Sequence, residues 1–153
     1  MTNLKSATIL AFAAALTASA AFAQQAAPAP QPWAYKTKQL NRADIDALLA
    51  KPEKVVVLDV RRPDELSSKG SFPAYLTIQA KEIEQNLGYI PKDRVIVTVS
   101  NRAHRAGEVG DLLTSKGYKV AGAAGTLDYE EQGGKVAHIT PPPPRPVAVA
   151  GQQ

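Results

Sequence analysis

The chain of 153 residues contains no cysteine. That excludes a disulfide, a thiolate metal site, a lipid-anchoring cysteine and a catalytic thiol anywhere in it. Charge is missing from both ends: Lys5 is the one charged side chain among residues 1–35, and Arg145 the one among residues 139–153. The charged, foldable part therefore lies over about residues 35–139, and one core is expected. A strong excess of base is absent too. Against 14 Asp and Glu stand 18 Lys and Arg, a net +4 that becomes +3 if Lys5 is removed (4 − 1), too dispersed to argue for nucleic acid. Two histidines, His104 and His138, make a poor metal-ligand set. Neither a metal nor a cofactor is expected.

At the start, Lys5 leads into the apolar run Ala7 to Leu16, and Ala21-Phe22-Ala23 has the small-x-small form of a signal-peptidase site. The pattern predicts a bacterial-type leader over 1–23, cleavage after Ala23, a periplasmic or secreted product and no stable membrane anchor afterwards. Proline marks the edges of what remains. Of 12 prolines, Pro28, Pro30 and Pro32 fall in a Pro/Ala/Gln-rich linker over 24–34; Pro141 to Pro144 and Pro146 fall in a Pro-rich, disordered tail over 140–153.

Between these flanks apolar runs alternate with amphipathic stretches. Val55 to Val60 and Val95 to Val99 are continuous Val/Ile/Leu-rich runs of the kind buried on both faces of a parallel sheet. Shorter strands are expected at Leu76 to Ile78 and Tyr118 to Ala121, with an edge strand at Lys36 to Leu40. Asn41 is placed to cap a helix over Arg42 to Ala50 with Asp44 at its third position. Ala106, Val109, Leu112 and Leu113 recur at helical spacing, closed by Lys116-Gly117. Strand alternating with helix argues an α/β domain whose ligands bind where strands end and helices begin.

One such junction is chemically suggestive. The strand ending at Ser100 runs through Asn101, Arg102, Ala103, His104 and Arg105 into the helix near Ala106. A tight strand-to-helix turn gathers backbone N–H groups, and with the helix dipole and two arginines it favours an anion. An ordinary turn, with Ser100 capping the helix and the arginines solvated or paired to Glu108 or another acid, accounts for the same residues.

From about Leu40 to Gly134 the chain resembles the rhodanese-like family. Leu58-Asp59-Val60-Arg61 resembles its Asp-Val-Arg strand end, Glu65-Leu66 its Glu-aromatic pair and Gly70-Ser71-Phe72-Pro73-Ala74 its Gly-His-Ile-Pro-Gly turn. Ser100 to Ala106 is similar to the active-site loop Cys-x-x-Gly-x-Arg-Ser, and Ala124-Gly125 with Tyr129 to Gly-Gly-x-x-x-Trp. The resemblance implies a five-stranded, mostly parallel sheet with helices on both faces. The six-position loop resembles that of the sulfurtransferases rather than the longer loop of the related cell-cycle phosphatases. In active members its first cysteine carries sulfur as a persulfide.

Here that position is Ser100. A serine hydroxyl is not ionised at neutral pH by nearby cations and needs a general base, for which His104 is the nearby candidate. Ser71, Ala74, Ala103 and Tyr129 depart from the family's His, Gly, Gly and Trp, and a methyl at Ala103 is expected to narrow the loop. Asp59 and Arg61 are read as structural, closing the strand end and pairing with Glu65, and His138 as a surface residue. The expectation is an exported pseudoenzyme without a catalytic residue. Its loop, Ser100 to Arg105, binds a small oxyanion (sulfate, thiosulfate or phosphate) or an envelope protein. An enzyme using Ser100, sulfurtransferase-related or hydrolytic, and a structural partner-binding domain with a vestigial loop are the alternatives.

Overall fold

The computed structural model describes residues 31–138 except Ala74. The expected leader, most of the linker, Ile139 and the tail lie outside the described residues. Four strands, β1 (Val55–Asp59), β2 (Tyr75–Thr77), β3 (Val95–Ser100) and β4 (Val120–Gly125), form one parallel sheet in the order β2-β1-β3-β4. Helix α1 (Arg42–Leu49) precedes β1 and α4 (Thr126–Glu131) follows β4, while α2 (Pro63–Lys69), α3 (His104–Ser115) and two short 3-10 turns at Ala80–Glu82 and Glu84–Tyr89 run between the strands.

Side-chain alternation along the strands builds two cores. Val55, Val57, Val97 and Val99 pack on one face with Ile45 of α1 and Tyr129 of α4. Leu58 and Ile96 pack on the other with Val109 and Leu113 of α3 and with Ile83 and Ile90. A strand apolar on both sides needs cover on both, which explains the continuous runs. Truncating Val99 or Leu58, both fully buried, leaves a cavity costing about 2–4 kcal/mol.

Local chemistry sets the ends. The Asn41 side chain accepts from the Asp44 N–H at 3.0 Å and Asp44 accepts from the Asn41 N–H at 3.3 Å, a reciprocal cap worth about 1 kcal/mol. Gly117, at φ 82°, ends the turn after α3 in the left-handed region.

The expected fifth strand, Lys36 to Leu40, is reduced to a single parallel bridge between Gln39 and Ala123 on the open edge of β4. Only Lys38 and Leu40 exchange backbone hydrogen bonds with Ala123. The reason is a competitor: Asp111 of α3 accepts from the N–H groups of Lys36 and Thr37 at 3.0 and 2.7 Å. Those donors are turned to the helix and do not enter the ladder. β4 also starts two residues later than expected and runs to Gly125.

This stretch, Trp33 to Leu40, crosses α3 as a strap. A Cβ on Gly107 would lie 2.5 Å from Tyr35 and 2.7 Å from Trp33, and one on Gly110 2.6 Å from Thr37, so the crossing needs glycine on that helix face. Trp33, placed by its sequence in the linker, is thus packed. Among the described residues no helix is long and apolar enough to cross a membrane.

Candidate functional site

β3 stops at Ser100 on the edge of the sheet from which α3 departs. To turn there the chain puts Ala103 at φ 62°, the one non-glycine residue at positive φ among those described. The conformation costs about 1 kcal/mol. It is held by hydrogen bonds from His104 N–H to the Arg102 carbonyl, from Gly107 N–H to the Ala103 carbonyl and from Leu127 N–H to the Asn101 carbonyl. Thr98, buried beneath, donates to the Ala106 carbonyl at 2.9 Å and ties the first turn of α3 to the sheet. The Ala103 methyl is fully buried with Ala106, Ala123 and Trp33. The left-handed backbone turns it into that core.

Ser100 is 1% exposed, and its hydroxyl accepts from the Ala106 N–H at 3.3 Å. It caps α3 from six residues back, satisfying one of the helix's free donors. The His104 ring makes no hydrogen bond with it among the described residues; it lies 5.6 Å from the Trp33 ring and 6.0 Å from that of Tyr35. Among the described residues no base is hydrogen-bonded to the hydroxyl, the contact that activation of a serine requires.

Beneath the loop lies an ion pair that is fully buried. Arg61 donates to both Asp59 oxygens, with Nη2–Oδ2 at 2.7 Å, and not to Glu65 as the sequence suggested. The two residues share the end of β1, so the shorter reach wins. The remaining Arg61 donors go to the Gly70 carbonyl at 2.8 Å, Asn101 Oδ1 at 3.0 Å and Thr126 Oγ1 at 3.2 Å. One guanidinium thereby joins β1, the end of α2, the loop and α4. Its desolvation is offset because every donor is used.

Glu65 instead meets Arg105. The carboxylate accepts from Arg105 Nη2 at 2.6 Å and Nη1 at 2.9 Å, from Asn101 Nδ2 at 2.7 Å and from the Arg62 N–H at 3.1 Å. The Arg105 hydrogen bonds hold the Glu65 carboxyl down at about 2, and Glu65 in turn raises Arg105. Arg102 is paired outside with Glu131 at 2.6 Å and Asp128 at 2.8 Å, which raise it in that order. Two guanidinium groups thus face three carboxylates. Of the residues expected at the site, Ser100 to Arg105 are brought together, but both arginines already have partners. Glu65, Asp128 and Glu131 are the members the sequence reading did not place there.

Two further family positions, Tyr129 and Ser71, are packed into the domain. The Tyr129 hydroxyl donates to Asp46 at 2.6 Å while its ring stands edge-on to Phe72 at 5.0 Å. Ser71 is buried in an antiparallel bridge with Ala137. His138 is exposed, 3.5 Å from Glu130. Ala74 lies outside the described residues.

A rhodanese-related protein from Thermoplasma volcanium superposes with a TM-score of 0.54 at 25% identity, over 65% of this chain and 97% of that one. The domain is rhodanese-like. A rhodanese-like domain protein from Staphylococcus aureus matches with a TM-score of 0.55 at 21% identity, over 65% of this chain and 98% of that one. Reduced CoADR-RHD from Bacillus anthracis matches with a TM-score of 0.54 at 26% identity over 61% of this chain, which spans only 16% of that larger chain. No family model and no curated protein sequence matches. The rhodanese-like fold is here carried by a chain without cysteine, on a sheet of four strands and one bridge.

Proposed function

We propose that this rhodanese-like chain is an exported, non-catalytic binding module whose Ser100 to Arg105 loop receives an anionic group. The group is a small oxyanion such as sulfate, thiosulfate or phosphate, or a carboxylate of a protein partner in the envelope. The observation that carries the reading is Ser100 itself, buried, accepting from the Ala106 N–H at the start of α3, and with no base hydrogen-bonded to it among the described residues. A hydroxyl so placed would need a general base, which no described residue supplies by hydrogen bond. The turn at Ala103 and the N-terminal dipole of the 12-residue α3 support an anion at the loop. Export rests on Lys5, the apolar run Ala7 to Leu16 and Ala21-Phe22-Ala23.

The purified protein is expected to show no thiosulfate:cyanide sulfurtransferase activity, and turnover above a heat-killed control overturns the non-catalytic reading. Sulfate titrated at low ionic strength is expected to give saturating amide shifts confined to Ser100 through Ala106. Shifts spread over all basic residues without saturation favour the second reading, a partner-binding domain with a vestigial loop. That reading is supported by the pairing of Arg102 and Arg105 with carboxylates.

A further inference from the structure

We propose that Glu65 is a built-in occupant of the loop, a carboxylate that competes with external anions for Arg105. The inference rests on the anion-binding reading above and names what regulates that site. Four donors converge on Glu65: both terminal nitrogens of Arg105, the Asn101 amide and the Arg62 N–H. This two-pronged guanidinium contact is the geometry by which arginine takes a carboxylate or an oxyanion ligand. Glu65 reaches it from α2, 40 residues away in sequence, while α3 has no acidic side chain in its own first turn.

The carboxylate is held in place from below. Asn101 accepts from Arg61 through Oδ1 and donates to Glu65 through Nδ2, so the buried Asp59–Arg61 pair orients the amide that orients Glu65. Around Glu65 the charged groups are Arg62, with Asp64 beside it, on α2, Arg105 on α3, and Asp59 with Arg61 at the end of β1. An external anion meets a loop in which the N–H groups of His104, Ala106 and Gly107 already donate to the Arg102 carbonyl, the Ser100 hydroxyl and the Ala103 carbonyl. It gains Arg105 only by displacing Glu65, which is 14% exposed and the better-sheltered partner.

The test follows sulfate binding by backbone amide shifts in four forms of the protein: wild type, Glu65→Gln, Glu65→Gln with Arg105→Ala, and Glu108→Gln. The last removes the same charge from the exposed side of α3. Glu65→Gln is expected to tighten sulfate by about tenfold, the scale of one charge-assisted contact. The gain is expected to vanish in the double variant and to be absent in Glu108→Gln. Saturating loop shifts in wild type with no difference between Glu65→Gln and Glu108→Gln overturn the competition and leave the anion site standing. Saturation in Glu65→Gln alone supports the competition and removes the anion site from the native protein. No saturation in any form overturns both. A measurement without substitution guards against a variant that fails to fold: in wild type the Glu65 carboxyl carbon signal is expected to move along the same sulfate saturation curve as the loop amides. A stationary carboxyl signal beneath saturating amides overturns the proposal.

Discussion

The two surfaces that meet α3 are held by different physics. On the loop side, Asp59, Arg61, Asn101, Glu65 and Arg105 form a continuous run of hydrogen bonds with three ionised groups buried or nearly so. On the strap side, Trp33, Tyr35 and Thr37 press against Gly107 and Gly110, where the absence of two methyl groups is what permits contact. Direction holds the first and volume the second. Damage should therefore spread through the network but stay local at the strap.

The largest effect is expected from Arg61→Met, which strands the Asp59 carboxylate in the core and frees Gly70, Asn101 and Thr126 together. A loss of about 3–5 kcal/mol is expected by urea unfolding, with amide-exchange protection falling in both regions. Gly107→Ala should cost about 1–3 kcal/mol, since the strap rings must move aside. Its mark is spatial: the Thr37 N–H, held by Asp111, is expected to lose exchange protection while the Arg61 N–H, held by Asp59, keeps it. Equal loss at both amides breaks the contrast.

Acid reaches both sides, because Asp111 under the strap is, against the effect of burial, also held below its ordinary value by hydrogen bonds from Thr37 and Lys36; the comparison with Glu65→Gln isolates the network's share. Glu65 titrates at about 2 in the folded chain against an ordinary 4.5, so its stabilisation is complete above pH 4.5 and is lost as pH falls toward 2. The whole displacement corresponds to at most about 3 kcal/mol. With Arg105 40% open to water, screening leaves about 1–2 kcal/mol. Urea midpoints of wild type and Glu65→Gln are expected to converge over that interval; parallel curves contradict the pairing. The smallest effect is expected at Ala103→Gly. It relieves about 1 kcal/mol of left-handed strain but gives up a buried methyl worth about as much, leaving stability within about 0.5 kcal/mol of wild type by the same unfolding assay.

What could be read from sequence divides along the same line. β1, β3, α1 and α3 announce themselves because burial on both sheet faces and helix caps are local patterns. β4 was misplaced because Val120-Ala-Gly-Ala-Ala-Gly lacks large β-formers. Its small residues fit tertiary neighbours, with Gly122 under Leu40 and Ala123 beside Ala103. The strap failed as a strand because Asp111, more than 70 residues away, claims its N–H groups. At the site the loop was legible, and the rhodanese-like resemblance set its register. Its electrostatics were not: the partners of Arg102 and Arg105 come from α4 and α2, and nothing in the spacing of residues 100–106 records them. An acidic residue following Arg61 at short range is the available signal, but its partner is Arg105, 40 residues on.

Trp33 is the chain's single tryptophan, and its ring lies against His104, the residue on which α3 begins. The protein thus carries its own optical probe at the loop. Its emission reports one indole in one environment, sensitive to the charge of the neighbouring imidazole and to any shift of the helix start. A titration of sulfate against the loop can be followed by that light without attaching a label.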